Sequence, residues 1–353
     1  PMGISFWRSF THWIGGMGVL VFIMAVMPLS DSSSMHLMRA ESPGPAVGKL
    51  VPKVKTTAMI LYGIYVVFTV IEIIALLIAG MPLFDSMTLT FGTVGTGGFG
   101  LLNSSIASYS TAVQIIITVF MIICSINFTV YYMFLIKRPK EALMCEEMRY
   151  YLLIVFGSAL LIAFNIRASF ASFGKAFQQA IFQVASVIST TGFATADFNL
   201  WPEFSRMILV LLMFVGACAG STGGGFKVSR LIIMVKSVRN EIMSVTHPRS
   251  VQKVHMDGRR IPDNVVKTVL CYLAGYVVIL IVSVLLISLD NFDMTTNFTA
   301  VMATFNNVGP GLNRVGPTGN FGGFSVLSKL VLMFDMLVGR LELYPMLVIF
   351  APG

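Results

Sequence analysis

Charge is the scarcest thing in this 353-residue chain: only 11% of residues are Asp, Glu, Lys or Arg, and 56% are hydrophobic. Soluble domains carry roughly 25% charged residues. A chain of this size cannot hide that imbalance in a soluble core, so its solvent is lipid. Cysteine is also sparse. Cys124, Cys145, Cys218 and Cys271 form no CxxC pair, so neither a disulfide framework nor a zinc site is indicated. HExxH, the nucleophile elbow and a pair of carboxylates on one face of a span are all missing, so an enzyme is not expected. Nor does a leader-like segment precede the first span; with Pro1 as its first residue, the sequence is read as cut or numbered from the interior of a longer one.

What is present is long apolar runs. A span needs about 20 mostly apolar residues. Seven segments qualify or come close: 11–29, 57–80, 112–136, 150–166, 206–235, 266–289 and 326–350. Three shorter runs, 83–92, 175–188 and 296–306, cannot cross and fit re-entrant half-helices. The expected fold is all-α and polytopic. Trp7 and Trp13 suit a membrane interface, and His12 beside them is read as an interfacial hydrogen-bonding residue rather than a proton relay.

Of 24 Lys and Arg, 17 fall in three connections, Arg39 to Lys55, Lys137 to Arg149 and Lys227 to Lys267. These alternate along the chain, so they share one side, and positive loops stay in the cytoplasm. Glu41, Glu141, Glu146, Glu147, Glu241, Asp257 and Asp263 are mixed among them without interleaved aromatics, which argues against nucleic acid. The longest connection, Val228 to Lys267, is expected to hold a short hairpin at Met256-Asp257-Gly258-Arg259. It serves either as a surface attracted to anionic lipid or as a dock for a soluble partner.

The stretch Ala180 to Lys227 organises the rest. A half-helix ends in Ser189-Thr190-Thr191-Gly192-Phe193, and the following apolar run is broken by Gly220-Ser221-Thr222-Gly223-Gly224-Gly225. Glycine reaches positive φ without penalty and so exposes backbone carbonyls, and carbonyl rings can replace a cation's hydration shell. Similar turns follow the other two short runs. Aligned on Gly98, Gly192 and Gly311, the filter-like residues are Thr96, Gly97, Gly98 and Phe99; Thr190, Thr191, Gly192 and Phe193; Gly309, Pro310, Gly311 and Leu312. The cation-binding carbonyls are expected on Thr96, Gly97, Thr190, Thr191, Gly309 and Pro310. Pro310 breaks the symmetry, because it fixes φ and removes a donor.

Each turn lies within a helix, re-entrant loop, helix unit. Four such units would surround an axis; three are complete here. The expected division is 1–52 (closing helix of a first unit and a link), 53–138, 139–258 and 259–353. As written, the chain lacks the first filter and is not expected to conduct alone. The glycine-rich run at 220–225 is not a phosphate loop, because Phe226 separates it from Lys227 and no strand precedes it. Unwound backbone at membrane depth must line a cavity or be buried in protein. Ala219, Gly220, Ser221, Thr222, Gly223, Gly224 and Gly225 are therefore read as a gate, or alternatively as a packing kink. Arg340, well inside the last span, either faces the pore and meets carbonyls of that loop or pairs with Asp335 or Glu342.

Together FWRSFTHWIGGMGVLVF, TVGTGGFG, STTGFATADFN, GSTGGGFKVSR, HPRSVQKVHMDGRR, NNVGPGLN and LVGRLELYP resemble the TrkH/KtrB family of potassium uptake proteins over the whole chain, nearer the TrkH branch. The resemblance implies four channel-like repeats, filter glycines at Gly98, Gly192 and Gly311, a gating loop over 219–225 and a last-helix arginine, Arg340. It also implies a homodimer in the bacterial plasma membrane, regulated by cytoplasmic TrkA/KtrA-type subunits. These bind the nucleotide; the chain itself is expected to need no cofactor, with potassium as the transported ion. A potassium/sodium-permeable or ion-coupled transporter of the same build is the alternative. Alternating access is disfavoured, since the basic segments put all three turns on one side.

Overall fold

The computed structural model describes residues 2–18, 54–247 and 252–341, with 343 and 346. The helices, in chain order, are α1 (Met2–Gly16), α2 (Val54–Ile78), α3 (Leu83–Val94), α4 (Thr111–Cys124), α5 (Phe128–Leu135), α6 (Pro139–Leu143), α7 (Glu146–Ile166), α8 (Phe173–Ile188), α9 (Glu203–Val215), α10 (Val228–Thr246), α11 (Asp263–Ile287), α12 (Met294–Phe305) and α13 (Val326–Leu341). Between α10 and α11 a two-stranded hairpin, β1 (His255–Met256) and β2 (Arg259–Arg260), pairs antiparallel with Met256 opposite Arg259. The turn Met256-Asp257-Gly258-Arg259 led to that hairpin in the sequence.

Three described helices are long and apolar enough to cross a membrane, α2, α7 and α11. A fourth crossing is counted if α4 and α5 are one span, bent by 88° at their junction. The expected span 112–136 is thus broken, although it contains no Pro. The break is capped: Asn127 Oδ1 accepts from the Thr129 N–H at 2.9 Å, starting α5. Of the expected span 11–29, residues 19–29 lie outside the described residues, as do the link up to Pro52 and most of 342–350.

The long helices turn apolar side chains outward. On α2 Val67, Val70, Ile71 and Ile74 are about half exposed, and on α11 Val278, Ile281 and Leu285 are too. Lipid covers such surfaces. The short helices are the most enclosed elements. In α3 every residue from Thr88 to Val94 is buried, and in α12 every residue from Thr299 to Phe305. With 12 residues each, α3 and α12 are roughly 18 Å long, too short for a hydrocarbon core of about 30 Å. They are also rich in Thr, whose hydroxyls can bond back into their own helix: Thr93 Oγ1 donates to the Leu89 carbonyl at 2.9 Å and Thr304 Oγ1 to that of Ala300 at 2.9 Å.

The connections sort to two ends. At one, the Glu146 N–H donates to Asp257 Oδ1 of the hairpin at 2.7 Å, and Glu146 pairs with Lys236 of α10. This joins the basic segments 137–149 and 227–267. At the other, the link after Phe193 meets the links after α3 and α12: Ala194 N donates to Ser105 Oγ at 3.1 Å and Asn313 N to Asn199 Oδ1 at 2.8 Å.

Candidate functional site

The ends of α3, α8 and α12 repeat one another bond for bond. The N–H of Gly97 donates to the Gly92 carbonyl at 2.7 Å, and that of Gly98 to the same oxygen at 3.2 Å. Thr191 and Gly192 do the same to Ser186 (3.0 and 3.3 Å), and Val308 and Gly309 to Ala303 (2.8 and 3.4 Å). Two residues before each glycine the backbone enters the left-handed region, at Thr96 (φ 53°), Thr190 (φ 58°) and Asn307 (φ 55°). The glycines follow at φ 65°, 87° and 102° for Gly98, Gly192 and Gly309, where a side chain would be strained.

This register corrects the alignment on Gly311. Gly-Pro-Gly offers two glycines two residues apart, and the sequence could not choose between them. The bond pattern chooses Gly309. Gly311 instead gives its N–H to the Val315 carbonyl at 2.7 Å, and a β-carbon on it would come within 2.8 Å of Val315. Leu312 donates its N–H to Thr299 Oγ1 at 2.9 Å and packs in the interior. Asn307 and Val308, not Gly309 and Pro310, therefore occupy the places of Thr96/Gly97 and Thr190/Thr191. Pro310 stands where Phe99 and Phe193 stand.

The turns sit side by side in a fixed sense. A β-carbon on Gly98 would run into the carbonyl of Thr191, and one on Gly192 into that of Val308. These two glycines thus abut the carbonyl of the residue one place before the corresponding glycine in the next turn, while a β-carbon on Gly309 would meet nothing within 4 Å. Helix α1 backs the turn after α3. A β-carbon on Gly97 would lie 2.6 Å from the His12 ring, which also meets Phe99 edge-on, and the Arg8 guanidinium lies 4.4 Å from the centre of the Phe99 ring. His12 therefore packs behind a turn instead of standing at a free interface.

Between α9 and α10, residues 216–227 form a loop pinched at its neck. Phe226 N donates to the Phe214 carbonyl at 3.2 Å, Lys227 N to that of Val215 at 3.0 Å and Val228 N to that of Ala217 at 3.1 Å. The two arms cross at Gly216 and Gly225; a β-carbon on either would approach the other's Cα within 2.7 Å. Only glycine permits that crossing. Lys227, at φ 85°, sends its ammonium back to the Gly223 carbonyl.

The tip, Thr222 to Gly224, reaches all three turns. Thr96 Oγ1 donates to the Thr222 carbonyl at 3.0 Å. The Gly224 N–H donates to Thr190 Oγ1 at 2.6 Å. A β-carbon on Gly224 would stand 2.9 Å from the Asn306 carbonyl, and one on Gly223 the same distance from that of Ser189. Arg340 completes the arrangement. Its Nη1 donates to the Thr222 carbonyl at 3.0 Å, and its Nη2 to those of Gly15 at 2.8 Å and Gly16 at 3.2 Å. Asp335 bonds Ser283 Oγ at 2.7 Å, and Glu342 lies outside the described residues.

The far side of the loop is held by its own Ser221 and by residues of other elements that the sequence did not single out. Ser221 Oγ turns back to the Cys218 carbonyl at 2.6 Å. The Ala219 N–H donates to Glu147 Oε1 at 2.7 Å. Cys218 N donates to the Ser125 carbonyl and Phe128 N to that of Gly220, both at 3.0 Å, so the α4–α5 break is built around the loop. Thr222 Oγ1 adds a bond to the Cys124 carbonyl at 3.1 Å. Nothing in the spacing of Ser125 or Glu147 signals these roles, because each partner lies on another element. No cluster of three or more His, Cys, Asp or Glu side chains able to hold a metal occurs among the described residues. Backbone carbonyls and hydroxyls are what the turns offer a cation, and the C-terminal dipole ends of α3, α8 and α12, each roughly half a negative charge, favour one.

A family model described as TrkH, cation transport protein, matches residues 1–352. The chain is 35% identical over its whole length to the Trk system potassium uptake protein TrkH of Salmonella typhimurium, covering 74% of that protein. It is 30% identical to TrkG of Escherichia coli, another Trk system potassium uptake protein, over 99% of the chain and 73% of the relative. Among solved structures it is similar to the potassium transporter TrkH of Vibrio parahaemolyticus, with a TM-score of 0.85 and 32% identity, over all of this chain and 73% of that one.

Proposed function

The chain belongs to the TrkH family of cation transport proteins, and from that membership we propose that it carries potassium inward across the bacterial plasma membrane, selecting the ion on carbonyls of the turns after α3, α8 and α12. One observation carries the reading: three turns share one bond pattern and one left-handed signature, and Gly98 and Gly192 are each packed against a neighbouring turn's carbonyl. A cation entering them exchanges water for oxygens already held in place. Inward movement of a monovalent cation down a membrane potential is favoured by about 2.3 kcal/mol per 100 mV.

In this reading the loop 219–225 is the gate. Its tip lies against the bases of all three turns, and the Arg340 guanidinium beside it opposes cations until both move. The glycine-rich run fits a gate better than a nucleotide site, because its tip, Thr222 to Gly224, is buried and the lysine that follows is turned onto the Gly223 carbonyl. Any nucleotide is bound by cytoplasmic regulatory subunits of TrkA/KtrA type, and two copies of the chain form a dimer. The exposed basic side chains of Lys137, Arg138 and Lys140 and of the hairpin's Arg259 and Arg260 give the cytoplasmic end a surface for an acidic partner. The runner-up, a pathway open to both potassium and sodium, draws on the third turn, where Asn307, Val308 and Pro310 depart from the Thr- and Gly-rich pattern.

Rubidium and sodium flux into liposomes holding the complete protein, with and without Gly192→Ser, tests the reading. Rubidium uptake that excludes sodium and loses that exclusion in the variant supports it. Equal passage of both ions before substitution favours the runner-up. Selectivity untouched by Gly192→Ser would overturn the assignment of the turns.

A further inference from the structure

Glu147 is a carboxylate inside a membrane protein with only 3% of its surface exposed. Charge in such a place needs a reason. Its position in the first turn of α7 puts Oε1 between the two arms of the gate loop. There it accepts the Ala219 N–H at 2.7 Å, on the outgoing arm, and the Ser229 N–H at 3.1 Å, in the first turn of α10 on the returning side. One oxygen thus bridges backbone groups ten residues apart, across the neck of the loop. Both are N–H groups that a buried backbone cannot leave unbonded cheaply, and Ser229 lies at the positive end of the α10 dipole. Any outward swing of the loop relative to α10 must break one bond or the other.

The preceding residue faces the cytoplasmic end. The Glu146 N–H donates to Asp257 Oδ1 in the hairpin turn at 2.7 Å. The Glu146 carboxylate pairs with Lys236 of α10, whose ammonium also reaches the His255 carbonyl at 2.8 Å. Two consecutive residues at the start of one helix therefore hold the hairpin with one and the gate loop with the other. Both residues lie in the first turn of α7, so a displacement of that turn moves both contacts. The hairpin contact and the gate-loop contact are therefore one residue apart in the chain.

We propose that Glu147 is the latch that holds the gate loop closed, and that the hairpin at residues 255–260 releases it through Glu146. The inference rests on reading 219–225 as the gate, and its test separates the two. Glu147 is a positioning residue here, acting through the loop and touching no ion.

The experiment is basal rubidium flux through the complete protein in liposomes, with no cytoplasmic partner added. Sodium flux is measured alongside, and Arg340→Ala serves as the control for the gate. Glu147→Ala removes a charged acceptor from two N–H groups, so basal rubidium flux rises about tenfold or more, with the rubidium-to-sodium ratio unchanged. Glu147→Gln keeps an oxygen in the same place and restores most of the closure. Asp257→Ala raises basal flux in the same direction, and in combination with Glu147→Ala adds little, because both act on one element. A residue that merely supported the fold would lower flux and disturb selectivity together. Should the Ala variant fail to fold, Glu147→Asp decides, since it keeps the charge but is one methylene too short to span both arms. Raised flux in that variant supports the latch and wild-type flux overturns it. If Arg340→Ala raises flux and the Glu147 variants do not, the latch is wrong and the gate stands. If none of them raises flux, the gate reading itself fails.

Discussion

Arg340 and Thr222 are 118 residues apart in the chain, and the Nη1 of one donates to the carbonyl oxygen of the other at 3.0 Å. That oxygen also accepts from Thr96 Oγ1 at 3.0 Å. The same carbonyl is therefore shared by a turn of the candidate filter and by the cation beneath it. The other guanidinium nitrogen, Nη2, holds the carbonyls of Gly15 and Gly16 at the end of α1. A planar fork makes this possible, with donors directed both ways from one rigid group.

Arg340→Ala should raise rubidium flux in the absence of any partner by about tenfold or more, since each charge-assisted hydrogen bond is worth roughly 1.5–3 kcal/mol. Arg340→Lys should fall close to the Ala variant. An ammonium supplies charge but cannot reach the Thr222 carbonyl and those of Gly15 and Gly16 together. Liposome flux decides the matter. A Lys variant as closed as wild type would show that charge alone, without the fork, keeps the pathway shut.

Glu72 of α2 presents a different problem. It is fully buried, and neither carboxyl oxygen makes a well-formed hydrogen bond among the described residues, the Thr93 hydroxyl being the nearest polar side chain to interact with it. Replacing such a group by an apolar side chain of similar shape removes a desolvation cost of about 1–3 kcal/mol. Glu72→Met should raise the thermal unfolding temperature of the detergent-solubilised protein by a few degrees. A clear fall would show that the carboxyl has a partner in the complete assembly.

Asp293 caps α12 at its N-terminus. Its Oδ2 accepts from the Thr296 N–H at 2.9 Å and from Asn313 Nδ2 at 2.8 Å, and its Oδ1 from Thr296 Oγ1 at 2.6 Å. The side-chain bond from Thr296 is the largest influence holding the carboxyl below its ordinary range, opposed by desolvation and aided by the Thr296 N–H and Asn313. A depressed carboxylate stabilises the fold above its unfolded pKa, about 3.9, and that contribution is lost as pH falls through the lower folded value. Asp293→Ala should cost about 0.5–2 kcal/mol, as loss of a helix cap does. The gap from wild type should stay constant between pH 5 and 7 and narrow below about pH 4. Unfolding temperatures across that range are the measurement. A gap that widened in acid would mean the cap works in its protonated form.

How much of this could be read from the sequence depends on whether the signal was local. The half-helices announced themselves by length: the apolar runs 83–92, 175–188 and 296–306 are too short to cross a membrane. The hairpin showed itself at Asp257-Gly258, and the breached span at its glycines. The break at Ser125 to Asn127 was invisible, because no proline or glycine marks it. It exists because the loop supplies the Gly220 carbonyl to Phe128 and takes that of Ser125 for Cys218. Glu147 looked like one acid among the bases of a cytoplasmic link until the fold put it between Ala219 and Ser229. The near miss lay at Gly309 and Gly311, where local composition was right but register was decided by a bond from Gly309 N to the Ala303 carbonyl, 3.4 Å away.

That register makes the sharpest prediction about the turns. Gly309 sits at φ 102°, and a β-carbon there would meet nothing within 4 Å, so substitution acts on backbone conformation alone. Gly311 is confined by Val315 and by the Thr299 carbonyl at 2.8 and 2.9 Å, without a left-handed φ. Gly309→Ala should therefore distort the turn and lower rubidium-over-sodium selectivity, by about tenfold if one carbonyl is turned away at a cost near 1.4 kcal/mol, with little change in stability beyond the local strain. Gly311→Ala should do the reverse. Overpacking there should cost about 1–3 kcal/mol of stability and leave selectivity near wild type in the protein that does fold. Selectivity ratios and unfolding temperatures measured on both variants separate the two glycines. If Gly311→Ala lost selectivity while Gly309→Ala kept it, the shared bond pattern would not be what defines the filter, and the four residues from Gly309 to Leu312 would return as its lining.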